Sequence, residues 1–278
     1  MSIIIGIDVG ISSTKIVGIE NSKHTIMSPM AITGSDKITP MDDALGKYLH
    51  HNDIALDDIE HIMVTGVGAQ EVNGPICDVP TSCVDEFKAN GLGARFDSGL
   101  DHMIVVSIGT GTSFVRVDGD TISHIGGIGM GGGTLLGLSK LLLNTRDIEK
   151  VSEWADVGNL GHINMTIGDI CQEPPEGLTD YATASLFAKA AHSAPDKNDI
   201  AAGLIRMVLE TIGSCAVLSQ GNSGIKDFVL IGNLTRLNMC RSVFTDLENL
   251  YGVRFLIPKT ACYCTALGAA LSYKHKKE

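Results

Sequence analysis

An apolar β-branched run, a tight turn of glycine and hydroxyl residues, and a second apolar run occur twice in this chain, about a hundred residues apart. In the first copy, residues 3–7 lead into Asp8-Val9-Gly10-Ile11-Ser12-Ser13-Thr14 and then Lys15-Ile16-Val17-Gly18-Ile19. In the second, residues 103–108 lead into Gly109-Thr110-Gly111-Thr112-Ser113 and then Phe114-Val115-Arg116-Val117, with Asp118-Gly119-Asp120 marking a further hairpin turn. A third strand over 121–125 completes a meander, as residues 24–32 do in the first copy. The expectation is a duplicated α/β fold, each half a twisted sheet with helices, divided near residue 100 into halves 1–100 and 101–278.

The intervening segments supply the helices. Helices are expected over 42–51 and 84–96, the second cut short by Gly91 and Gly93, with a strand at 61–65 between them. A helix over 135–144 follows the second meander, and residues 148–195 read as a helical insertion broken at Pro174-Pro175. Apolar residues at helical spacing over 199–219 form a stripe wide enough to be buried on two sides, in the core or in a dimer. Strand 226–231, helix 236–249, strand 253–257 and helix 262–273 close the chain.

Composition narrows what such a fold can do. With 278 residues, 44% of them hydrophobic, and 32 scattered glycines against eight prolines, the chain is globular and neither collagen-like nor disordered. The formal charge of −11 disfavours phosphate backbones and anionic membranes, so neither nucleic acid nor membrane is an expected partner, and any phosphate must be gripped locally. No apolar run reaches the roughly 18 residues of a spanning helix, and the first residues lack the basic start of a signal peptide. Seven cysteines, an odd number without a C-x-x-C pair, fit reduced thiols in a cytoplasmic protein.

Three segments carry phosphate chemistry. Gly10 permits a turn that exposes backbone N–H groups, Ser12, Ser13, Thr14 and Lys15 add donors and a positive charge, and Asp8 can hold a hydrated Mg²⁺ beside a triphosphate. The alternative is an ordinary hairpin with its usual Asp and Gly. Gly109, Thr110, Gly111 and Thr112 form the matching turn, where glycines admit a phosphate and hydroxyls donate to it. Six glycines within residues 126–133, among them Gly127, Gly129, Gly131, Gly132 and Gly133, precede a helix whose N-terminus offers N–H groups to an anion. Gly127 to Gly132 also fits G-x-G-x-x-G, but it lies mid-chain after a meander, outside a βαβ unit. A Walker A sequence is absent.

Asp85 and Glu86, at a helix start, are candidates to take a proton from a hydroxyl attacking a γ-phosphoryl group, or are structural N-terminal carboxylates. His124 can contact an anionic substrate or simply be a satisfied polar residue. Gly232 and Asn233 end a buried strand where open α/β sheets bind ligands, a candidate adenosine contact.

These motifs together resemble the type II pantothenate kinases of the actin, hexokinase and Hsp70 superfamily. The residues that carry the likeness are Ser107 to Ser113, the spacing to Ile125-Gly126-Gly127-Ile128-Gly129, and the triple glycine that follows; Thr65-Gly66, Thr183-Ala184-Ser185 and Ala266-Leu267-Gly268-Ala269 extend it. The resemblance implies two ribonuclease-H-like halves, with mixed sheets flanked by helices, closing on an interdomain ATP cleft. It also implies phosphorylation of pantothenate with MgATP at the start of coenzyme A biosynthesis, and a homodimer. Glu86-Phe87 matches the family's catalytic glutamate, which implies a general base at Glu86, whereas His124 stands where the family carries a substrate-contacting arginine. Other readings of the residues are a kinase for another hydroxylated metabolite, a dehydratase-activator type of ATPase, or a non-catalytic ATP-binding regulator.

Overall fold

A computed structural model describes residues 2–20, 25–32, 41–72 and 74–273. In chain order the elements are β1 (Ile3–Val9), β2 (Thr14–Glu20), β3 (Thr25–Ile26), β4 (Met30–Ile32), α1 (Met41–Asn52), β5 (Ile59–Thr65), β6 (Thr81–Cys83) and α2 (Glu86–Ser98). There follow β7 (His102–Ile108), β8 (Thr112–Asp118), β9 (Thr121–Ile128), α3 (Gly132–Leu143), α4 (Ile148–Asp156), β10 (Met165–Thr166), α5 (Ile167–Ile170) and β11 (Thr183–Ser185). The last are α6 (Lys197–Ser219), β12 (Asp227–Ile231), α7 (Asn238–Tyr251), β13 (Arg254–Leu256) and α8 (Cys264–Leu271).

The duplication is visible in the strand order. One sheet runs β3-β2-β1-β5-β6 and the other β13-β12-β7-β8-β9, so each has a first strand flanked by its hairpin partner on one side and by a later strand on the other. β1 pairs antiparallel with β2 and parallel with β5, which makes the first sheet mixed. The third strand of the first copy begins at Thr25; residue 24 lies outside the described residues.

Every residue of β1 is buried, which is why its sequence is continuously apolar and does not alternate. Ile3, Ile5 and Ile7 pack with Leu45 and Tyr48 of α1, whereas Ile4 packs with Ala266, Leu267 and Ala270 of α8. Gly6 admits the backbone of α8, since a Cβ there would lie 2.0 Å from the Ala266 carbonyl oxygen.

Contacts divide the chain into two compact units: residues 1–107, 115–124 and 257–278, and residues 108–114 and 125–256. The last helix therefore packs within the first unit, where a single cut near residue 100 assigns it to the second half. Other differences from the expected elements are local. α2 runs through Gly91 and Gly93 to Ser98, because those glycines face close neighbours and do not open the helix. The expected helical insertion over 148–195 contains α4 and the single turn α5, and otherwise 3₁₀ turns and the β10–β11 pair. The apolar stripe of α6 is core within its own unit: by length and composition this helix could cross a membrane, but 67% of the apolar window is buried.

Candidate active site

In the first unit the hairpin turn between β1 and β2 closes with Gly10 N–H donating to the Ser13 carbonyl at 3.1 Å, which leaves Ser12 exposed while Ser13 and Thr14 are buried. Lys15 stands opposite Asp8 across the antiparallel pair, and Thr65 of β5 stands beside Asp8 on the parallel side. Burial pushes the Asp8 carboxyl up to about 6; Lys15 opposes the shift and Glu86 adds to it. Gly66, at φ +88°, makes room for this carboxylate, since a Cβ there would lie 2.7 Å from Asp8 Oδ1.

The structure separates the two acidic candidates at the start of α2. Asp85 is the N-cap, its Oδ1 accepting from Lys88 N–H at 2.9 Å. Glu86 is left half-buried, and its carboxyl is raised above the usual range by burial and then by the Asp85 charge, with Lys15 pulling the other way. Asp8, Lys15 and Glu86 thus form one electrostatic group, and a carboxylate made more basic by its surroundings suits proton abstraction. His124 belongs to the same unit, its ring stacked on Phe87.

The magnesium expected at Asp8 can be tested against these residues. The carboxylate is buried with an incompletely compensated charge, and the Thr65 hydroxyl next to it is buried with no hydrogen-bond partner. Hard oxygen donors of this kind suit Mg²⁺, and a cation would relieve both deficits.

The second unit gathers Gly109, Thr110, Gly111 and Thr112 with the glycine-rich segment and the end of β12. Thr112 Oγ1 donates to the Met130 carbonyl at 2.8 Å and Thr134 Oγ1 to the Gly129 carbonyl at 2.9 Å. A Cβ at Gly127 would meet the Thr112 carbonyl oxygen at 2.8 Å, and one at Gly131 the Thr110 carbonyl oxygen at 2.6 Å. Gly232, at φ +102°, would place a Cβ 2.2 Å from the Ile108 carbonyl oxygen, while Asn233 beside it is exposed.

One expected feature is absent. The N–H groups of Gly132 and Gly133, read from sequence as free donors at a helix start, donate instead to the carbonyls of Gly109 and Thr110 at 2.8 and 2.9 Å. These glycines join the start of α3 to the turn. Gly129, by contrast, is exposed with open space where a side chain would be.

Sequence reasoning took Phe87 and Thr65-Gly66 only as parts of a resemblance, and it missed the stack of Phe87 on His124. The available signal was position: Thr65 ends the strand next to β1, where its polar side chain interrupts the buried run Ile62-Met63-Val64.

The fold defines the class. Component A of the (R)-2-hydroxyglutaryl-CoA dehydratase of Acidaminococcus fermentans superimposes with a TM-score of 0.69 at 21% identity, over 98% of this chain and 97% of that one. The activator of the 2-hydroxyisocaproyl-CoA dehydratase of Clostridium difficile, solved with ADPNP bound, gives a TM-score of 0.68 at 18% identity over 97% and 93% of the two chains. The chain therefore has the actin-like ATPase fold, with mixed sheets flanked by helices. Within that class, the Fumble family profile matches residues 97–270, and a type II pantothenate kinase of Bacillus thuringiensis is 30% identical over 98% of each chain. The chain belongs to the Fumble family, that of the type II pantothenate kinases.

Proposed function

We propose that this protein transfers the γ-phosphoryl group of ATP to the terminal hydroxyl of pantothenate, giving 4′-phosphopantothenate and ADP, the first step of coenzyme A biosynthesis. Family membership supports the reaction class, and one observation supports the chemistry: Glu86 sits half-buried in the first turn of α2, electrostatically coupled to the Asp8–Lys15 pair. In this reading the Glu86 carboxylate accepts the hydroxyl proton as the hydroxyl oxygen bonds to phosphorus and the bond to the β-phosphate oxygen breaks. Lys15, Ser12, Ser13 and Thr14 provide charge and donors for phosphate oxygens, and the turn at residues 109–112, with Gly129, provides close backbone approach. Asp8 would hold Mg²⁺, which when bound offsets phosphate charge. Gly232 and Asn233 remain the candidate contacts for the adenosine.

The rest of this reading is a homodimeric cytoplasmic enzyme acting on a small molecule, with ATP and Mg²⁺ as its requirements. The net charge of −11 supports the exclusion of nucleic acid and anionic membranes as partners. The dehydratase-activator reading is not favoured, because the likeness to those structures lies near 20% identity and extends to the fold alone.

The test is ADP production from MgATP with pantothenate and with a panel of other hydroxylated metabolites, for wild type and Glu86→Gln. The expected result is pantothenate-dependent turnover that falls by about 10²- to 10⁴-fold in the variant, the range for loss of a general base. Turnover with a different acceptor, or none while ATP still binds, contradicts the assignment.

A further inference from the structure

The face that β9 turns toward α2 makes a two-point contact. Ile122 meets Gly91 so closely that a Cβ on the glycine would lie 2.6 Å from Ile122 Cγ2. Two residues on, His124 lies flat against Phe87, with ring centroids 4.1 Å apart and planes inclined by 18°. Residues two apart share a strand face and residues four apart share a helix face, so Ile122 with His124 and Gly91 with Phe87 are matched surfaces.

The opposite side of α2 is held by α8. A Cβ at Gly93 would lie 2.0 Å from the Cys264 carbonyl oxygen, and one at Gly268 would lie 1.7 Å from the Ala89 carbonyl oxygen. These backbone contacts fix α2 from Ala89 onward and leave Glu86, Phe87 and Lys88 before them to other restraints. That turn has the Asp85 cap and the ring stack. Among the described residues the His124 ring has the stack on Phe87 and no hydrogen bond or ion pair.

We propose that His124 is a positioning residue that orients Glu86 by pinning Phe87. Successive residues of an α-helix point about 100° apart, so a ring that fixes the rotation of the helix at Phe87 also fixes the direction in which Glu86 leaves it. The property required of His124 is a flat aromatic face. This role differs from the direct substrate contact expected of a cation at this position, and its kinetic consequences rest on the phosphotransfer reading given above.

The experiment compares His124→Ala and His124→Phe by two measurements. The first is amide hydrogen exchange at Lys88 and Ala89, whose N–H groups donate to Asp85 Oδ1 and to the Asp85 carbonyl, both at 2.9 Å. Exchange at Ala89 and Lys88 is expected to quicken by about 2- to 10-fold in His124→Ala, the range for loss of an aromatic pair, and to stay at the wild-type rate in His124→Phe. Unchanged amides of β7 in both variants check that the fold is intact. The second measurement is steady-state turnover: kcat falls by a similar factor in His124→Ala with the KM for ATP unchanged, and His124→Phe restores it. In a Phe87→Leu background the His124→Ala change adds little, because the stack is already lost.

If exchange in His124→Ala matches wild type, the positioning role is wrong. If His124→Phe is as impaired toward the acceptor as His124→Ala, the imidazole contacts substrate directly and the proposal also fails. If wild type makes no product from pantothenate, the functional assignment fails while the exchange comparison still decides the role of His124 in the structure.

Discussion

The turn after β1 is charged and the turn after β7 is not. The first places a buried carboxylate and a lysine across from each other, with a glutamate near enough to raise that carboxylate further. The second contains glycine and threonine and is joined to the start of α3 by backbone hydrogen bonds from Gly132 and Gly133. Topology makes the two turns equivalent, since each follows the first strand of a sheet with the same strand order. The two turns thus share a place in the strand order and differ in their chemistry, one an electrostatic turn and the other a turn of glycine and threonine. In the proposed reaction the first turn would compensate phosphate charge and the second would allow close backbone approach.

Asp8→Asn breaks the comparison from the charged side and has the largest expected effect. Turnover should fall by at least about 10²-fold, as for loss of a preorganised electrostatic group. Stability should move the other way. Asp8 holds its proton more tightly folded, near 6, than unfolded, near 3.8, so its favourable contribution is complete below the lower value and is lost as pH rises through the upper. Between those values wild type should lose up to about 3 kcal/mol, a slope that urea titrations at several pH values should find flattened in Asp8→Asn. Above pH 6 the variant should therefore be the more stable protein.

Gly232→Ala attacks the uncharged side. The added methyl meets the Ile108 carbonyl in a backbone region that favours glycine, and a loss of about 3 kcal/mol is expected in urea unfolding. A loss below about 1 kcal/mol would show that the second turn is less tightly built than its contacts imply. Thr112→Val is the finest probe. It removes the bond to the Met130 carbonyl and should cost about 1 kcal/mol, with any effect on ATP affinity following from a looser turn.

The duplicated strand–turn–strand pattern, the buried β1 and the long α6 were legible in the sequence because continuous apolar runs and helical spacing survive any tertiary context. β6 was not, because Thr81-Ser82-Cys83 has no apolar alternation and exists as a strand only through pairing with β5. The region 148–195 misled for a related reason: its short apolar stretches fit helical spacing but are too brief to settle the structure on their own. In the site, the residue types were readable and the bonding was not. Spacing could not tell which carboxylate of Asp85 and Glu86 caps the helix, nor that the amides of Gly132 and Gly133 are satisfied internally, nor that Phe87 and His124 stack. Each depends on a partner distant in sequence or on a choice between neighbours that packing makes.

The division of labour between the turns is tested most directly by the magnesium dependence of ATP affinity, measured calorimetrically for wild type and Asp8→Asn. The account expects Mg²⁺ to tighten ATP binding to wild type by about tenfold or more, as a carboxylate-held cation would, and to leave the affinity of Asp8→Asn nearly unchanged. Equal tightening in both proteins would place the metal away from Asp8 and contradict the assignment of charge compensation to the first turn.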